Sequence, residues 1–175
     1  GRGRDRPRFK RSIESVTFRP TARRVARPLS AMFNPDLCTE DEIRHLVHAF
    51  YAKVRDDALL GPIFAARITD WDHHLGKMVD FWSSTLRGTA RYRGTPMPKH
   101  AALPGLEPAL FQRWLALFRE TTAEMDNAAM RERADELAER IAESLWFGYQ
   151  MARDPDRIAA KLEARAAHTR ARQAP

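Results

Sequence analysis

The sequence predicts an all-α fold. Three observations carry this. Apolar residues recur at three- and four-residue spacing in four separate segments. Thr39-Glu40-Asp41-Glu42 and Pro108 stand where helices start. No stretch reads as a strand, and there is no internal repeat or Gly-rich phosphate loop.

Residues 1–31 read as a basic, disordered arm. They hold ten Lys or Arg against Asp5 and Glu14, with Pro7, Pro20 and Pro28 and no sustained period. The arm carries +8 of a net +7, which leaves −1 on the other 144 residues. The basic balance therefore describes the arm and not the domain, and the folded part is not expected to bind nucleic acid. Met32 directly precedes the first periodic segment, so it is expected to be the natural start, with residues 1–31 upstream of it. A transit peptide or a nucleic-acid-binding arm is the other reading of the same residues.

From the capping box, Ile43, Val47, Phe50, Tyr51 and Val54 mark a first helix to about Asp57. Leu59-Leu60-Gly61-Pro62-Ile63-Phe64 reads as a short corner. Thr69 or Asp70 caps a second helix to about Arg87. It carries two stripes: Trp71, Leu75, Val79, Trp82 and Leu86, and beside them His74, Met78, Phe81 and Thr85. A helix with a second stripe, headed by a histidine, has more to cover than one neighbour.

Residues 88–99 form a long loop broken by Gly88, Gly94, Pro96 and Pro98, and loops of that length are often functional. Near His100 there is room for about one helical turn before Gly105 and Pro108. Leu110, Phe111, Trp114, Leu115, Phe118 and Thr122 mark a third helix. Asp126 or Asn127 caps a fourth, with Met130, Leu137, Ala138, Ile141, Leu145, Trp146 and Tyr149 inward. Asp154-Pro155 can start a last helix in a charged, frayed or helical tail over 153–175. Residues 32–152 are then one domain of four substantial helices in two pairs, compatible with a plain bundle.

Cys38 is the single cysteine, so no intrachain disulfide forms, in keeping with a reducing cytoplasm. No apolar stretch approaches the roughly 20 residues that span a bilayer, and no membrane association is expected.

Of six histidines, His45, His48 and His168 lie among charged positions and read as surface. His73 and His74 are adjacent, so one points inward; His74 shares a face with Met78 and Phe81. His100 follows a proline-stiffened loop. It is either a surface residue at a helix start or an imidazole held in one orientation for a metal. No HxxxH, HExxH or CxxC pattern supports a zinc or di-iron site. One histidine suffices if the metal arrives inside a porphyrin. Tyr51 and Trp114 each bring a donor to an apolar face. Each is either a satisfied core residue or a donor to something bound.

Several runs stand in order: Ala49-Phe50-Tyr51-Ala52-Lys53-Val54-Arg55, Leu60-Gly61-Pro62-Ile63-Phe64, Phe81-Trp82-Ser83-Ser84, Met97-Pro98-Lys99-His100, Leu103-Pro104 and Phe111-Gln112-Arg113-Trp114-Leu115-Ala116-Leu117-Phe118. Over about residues 38–152 this ordered set resembles group III truncated haemoglobins. The resemblance implies a truncated globin, a two-over-two helical sandwich around haem b. It implies that His100 is the proximal iron ligand and that Tyr51, His74 and Trp114 line the distal pocket. Phe50, Phe64, Met78 and Phe81 then form the pocket wall, with Met78 departing from the aliphatic residue often found there. Reversible binding of O2 or another diatomic (NO or CO) follows from the resemblance, with NO dioxygenation or peroxide chemistry if an external reductase supplies electrons. A haem-free helical interaction module and a nucleic-acid binder acting through the arm are the rival readings. Neither accounts for the ordered motifs.

Overall fold

The structure, a computed structural model, describes residues 34–156 and 158–162. The arm, Met32 and His168 lie outside the described residues. Six helices follow in order: α1 (Glu40–Asp56), α2 (Gly61–Ala65), α3 (Trp71–Arg87), α4 (Pro96–Ala101), α5 (Pro108–Thr122) and α6 (Ala128–Arg153). No strand occurs among the described residues.

Local chemistry sets the helix starts. Thr39 Oγ1 accepts from the Glu42 amide at 3.1 Å, and the Glu42 carboxylate accepts from the Thr39 amide at 2.7 Å. Both orphan donors at the start of α1 are thereby satisfied. Asp70 caps α3 by accepting from His73 N at 3.0 Å. Asn127 caps α6 from Met130 N at 3.0 Å. The Asn127 side-chain amide also donates to Leu37 O and to the Glu42 carboxylate, both at 3.0 Å, tying the start of α6 to that of α1. α3 stops where Gly88 turns left-handed at φ 74°, a conformation glycine adopts without strain. The corner before α2 needs Gly61, because a Cβ there would lie 2.7 Å from the Arg55 carbonyl.

The four long helices close a ring of contacts. α1 packs on α3 and α5, and α6 packs on the same two. α2 rests on α1 alone and α4 on α6 alone. At the centre, Ile43, Leu46, Phe50 and Val54 of α1 meet Trp82 and Leu86 of α3 and Phe118 of α5. α6 contributes Met130 and the small Ala134, Ala138 and Ala142. Trp82, Phe118 and Trp114 form a stack, with centroids 4.9 and 5.4 Å apart. Each large side chain so buried contributes about 1.5–3 kcal/mol.

Two segments differ from the sequence expectation. Pro96 already begins α4, so the loop before it spans 88–95. That loop is pinned: Glu40 takes Ser83 Oγ at 2.7 Å and pairs with Arg87 and Arg91, while Tyr92 N donates to Ser84 Oγ at 2.9 Å. Beyond α6, the described residues 154–156 and 158–162 are not helical. Asp154 precedes proline and has left the helical region, at φ −147° and ψ 85°. The Gln150 side chain clasps Ala160 through two hydrogen bonds of 2.9 Å, and Leu162 is buried in the core. That stretch of the tail is anchored rather than frayed.

Candidate functional site

α1, α2 and α3 bring four rings together. Tyr51 and His74 meet edge-on at 5.0 Å and 90°. Phe64 lies 6.0 Å and Trp71 6.1 Å from Tyr51, and Trp71 lies 5.8 Å from His74. Phe50 touches Tyr51 at 5.0 Å and Trp114 at 5.3 Å. Tyr51 and His74 are therefore in direct contact, while the Trp114 ring meets Phe50 and Phe118 instead. Met78 and Phe81 are half-buried against the core, with Phe81 also against Tyr92 at 5.2 Å.

Burial governs the chemistry of the pair. His74 Nε2 is buried and has no hydrogen-bond partner. Burial holds the His74 imidazole below its usual range, helped by Lys77 and His73, so the ring is neutral at pH 7. Burial likewise pushes the Tyr51 phenol up, with a smaller push from Tyr92, so its proton stays on. His73, by contrast, is exposed, as are His45 and His48.

His100 sits on α4, half-buried, apart from that cluster. Its Nδ1 lies 2.8 Å from the Pro96 carbonyl oxygen. A carbonyl only accepts, so Nδ1 donates, and of the two neutral tautomers the ring takes the one that leaves the lone pair on Nε2. Such a second bond fixes tautomer and ring direction in a ligating histidine. The seat of α4 on α6 is close: a Cβ on Gly148 would run into the Met97 sulfur. Just beyond α4, Leu106 N donates to the Tyr149 hydroxyl at 3.1 Å and Arg153 donates to Leu103 O at 2.9 Å.

Sequence reasoning took Trp71 and Trp146 as ordinary stripe residues and gave no role to Tyr92. Trp71 lies between the buried pair and Arg55, whose guanidinium sits 4.8 Å from the indole centroid. Trp146 stacks on Tyr149 at 5.7 Å and leaves its Nε1 buried and unpartnered. The i, i+3 spacing of Trp71 to His74 was the available signal for the first. Two solvent-open hollows lie elsewhere, one beside Arg44, His48 and Asp72, the other beside Pro35 and Arg87. Neither touches Tyr51, His74 or His100, and their charged linings do not suit an apolar group.

Comparison with known proteins decides the family. The bacterial-like globin pattern matches residues 35–146. A group 3 truncated haemoglobin of Campylobacter jejuni is 36% identical over 107 residues, covering 59% of this chain and 84% of the relative. The crystal structure of the group III truncated haemoglobin from Campylobacter jejuni superposes with a TM-score of 0.59 at 34% identity, covering 64% of this chain and 91% of that one.

The chain belongs to the group III truncated haemoglobins. Membership makes it a haem-binding globin, and the residues present fit that group. No cluster of three or more His, Cys, Asp or Glu among the described residues could hold a bare metal ion. What this truncated haemoglobin offers is one imidazole with its Nε2 left unbonded, a half-buried neutral histidine with a buried, unmatched nitrogen, a buried phenol and ring-lined walls. That set suits an apolar macrocycle whose metal takes a single protein ligand.

Proposed function

We propose that this truncated haemoglobin binds O2 or another diatomic at haem b, with His100 Nε2 as the proximal ligand and Tyr51, His74 and Trp114 on the distal side. The observation that carries the reading is the His100 Nδ1 bond to Pro96 O at 2.8 Å, which frees Nε2 in one direction. When bound, haem supplies a ferrous iron that takes up a diatomic and draws negative charge onto it. The chain's part is to hold and to donate. Tyr51, a neutral phenol with no hydrogen bond to a described residue, directs its proton toward that charge. His74 stands neutral beside it as a gate or water anchor. Phe50, Phe64, Met78 and Phe81 exclude water from the pocket.

A donor-rich distal side slows ligand release, and this favours NO dioxygenation or peroxide chemistry over delivery. Turnover then draws electrons from a separate reductase. Steady NO consumption under a reductant is the expected behaviour; decay that stops after one equivalent would rule it out. We place the protein in the cytoplasm, where the buried free thiol of Cys38 stays reduced. No helix among the described residues is long and apolar enough to cross a membrane.

The visible absorption spectrum of haem-loaded protein tests the central reading. Wild type should show an intense Soret band that shifts on reduction and on addition of CO. His100→Gly should lose or alter that band and regain it with added imidazole. A His100→Gly spectrum identical to wild type would overturn the ligand assignment.

A further inference from the structure

We propose that Trp71, clamped beneath the Arg55 guanidinium, is a positioning residue that holds His74 inward and thereby sets how fast small ligands are admitted. This rests on the distal reading of His74 given above. Trp71 and His74 stand three residues apart on α3, so their side chains share a face. Their rings meet edge-on at 5.8 Å and 86°, and Trp71 also meets Tyr51 at 6.1 Å. Exposure falls in order from Arg55, which is exposed, through half-buried Trp71 to Tyr51, which is 6% exposed. The indole thus stands among the rings between exposed Arg55 and buried Tyr51, with half-buried His74 beside it.

Arg55 has no carboxylate partner among the described residues, and its guanidinium carbon lies 4.8 Å from the Trp71 centroid. The ring face is its partner. His74 Nε2, meanwhile, has no hydrogen bond to fix it. The imidazole's direction therefore depends on its ring contacts with Tyr51 and Trp71. An outward swing of His74 displaces the indole, and displacing the indole breaks the cation–π contact. At an exposed site that contact weights the inward arrangement by about two- to fivefold.

The test is CO rebinding after flash photolysis of the haem-loaded full chain. Arg55→Gln should speed rebinding by about two- to fivefold, and Arg55→Lys, which keeps a cation over the ring, should restore the wild-type rate. Arg55→Gln should have no effect in a His74→Leu background. In parallel, NMR of the CO-bound protein should show proximity cross-peaks between the Trp71 and His74 rings. These should weaken in Arg55→Gln and persist in Arg55→Lys. An unchanged rate in Arg55→Gln, or an equal effect with and without His74, overturns the clamp while the distal site stands. A wild-type rate in His74→Leu overturns the gating reading beneath it.

Discussion

In the proposed reading, Tyr51 is the residue on which ligand retention turns. A hydrogen bond to a charged acceptor contributes about 1.5–3 kcal/mol, which is tenfold to over a hundredfold in retention. Tyr51→Phe should therefore speed O2 dissociation by that factor in stopped-flow measurements. Trp114→Phe should change it less, because the Trp114 ring meets Phe50 and Phe118 rather than Tyr51 or His74. A larger effect from Trp114 would reverse that ranking. That Tyr51 and His74 face inward was legible in the sequence, because helical spacing says which face a side chain shares. Spacing does not say what lies across the gap. Trp71 consequently reads as one more core stripe until Arg55 of α1 is seen over its ring. The unmatched nitrogens of His74 and Trp146 are likewise invisible without the fold.

Among the elements, the α1–α2 corner gathers three hydrogen bonds on one side chain. Asp57 accepts from Leu59 N at 3.0 Å and Leu60 N at 2.9 Å, and its second oxygen takes Arg113 Nε of α5 at 2.7 Å. Burial alone would raise its pKa. The Leu60 amide, the Arg113 guanidinium and the Leu59 amide outweigh that and hold the carboxyl below its usual range. Asp57→Ala should cost about 1–3 kcal/mol, since it strands the Leu60 amide at a part-buried turn. Urea unfolding should show it as a lowered midpoint with an unchanged slope, and an unmoved midpoint would contradict the assignment. Helix starts were readable because caps are local chemistry: Thr39, Asp70, Pro108 and Asn127 all serve as the sequence suggests. The anchoring of the tail was not readable. It depends on Gln150 reaching Ala160 and on Leu162 finding the core, contacts that no periodicity encodes.

In the whole molecule, helical patterning alone stops at four helices that would suit any bundle. Only the ordered motifs, from Phe50-Tyr51 to Phe111-Gln112-Arg113-Trp114, separated a globin from the alternatives. The reason lies in how the His100 end of the molecule is built. α4 is six residues long and touches only α6, whereas the long helices each touch at least two others. A helix that short does not hold itself in water. Its capping residue, Thr95, makes no side-chain hydrogen bond to the helix start. Its order thus leans on the Met97–Gly148 contact with α6 and, in the proposed reading, on ligation through His100. Local opening free energies track such differences in packing. Amide hydrogen exchange should then show the non-proline amides of α4, Met97 and Lys99 to Ala101, among the least protected helical amides without haem and markedly slowed with it. The buried amides of α1 and α5 should change far less, because their ring of contacts is complete without the cofactor. Equal protection of α4 in both states would mean that α6 alone secures it. His100 would then stand in a site that is already rigid before haem arrives, and haem uptake would add little to the stability of that end of the molecule.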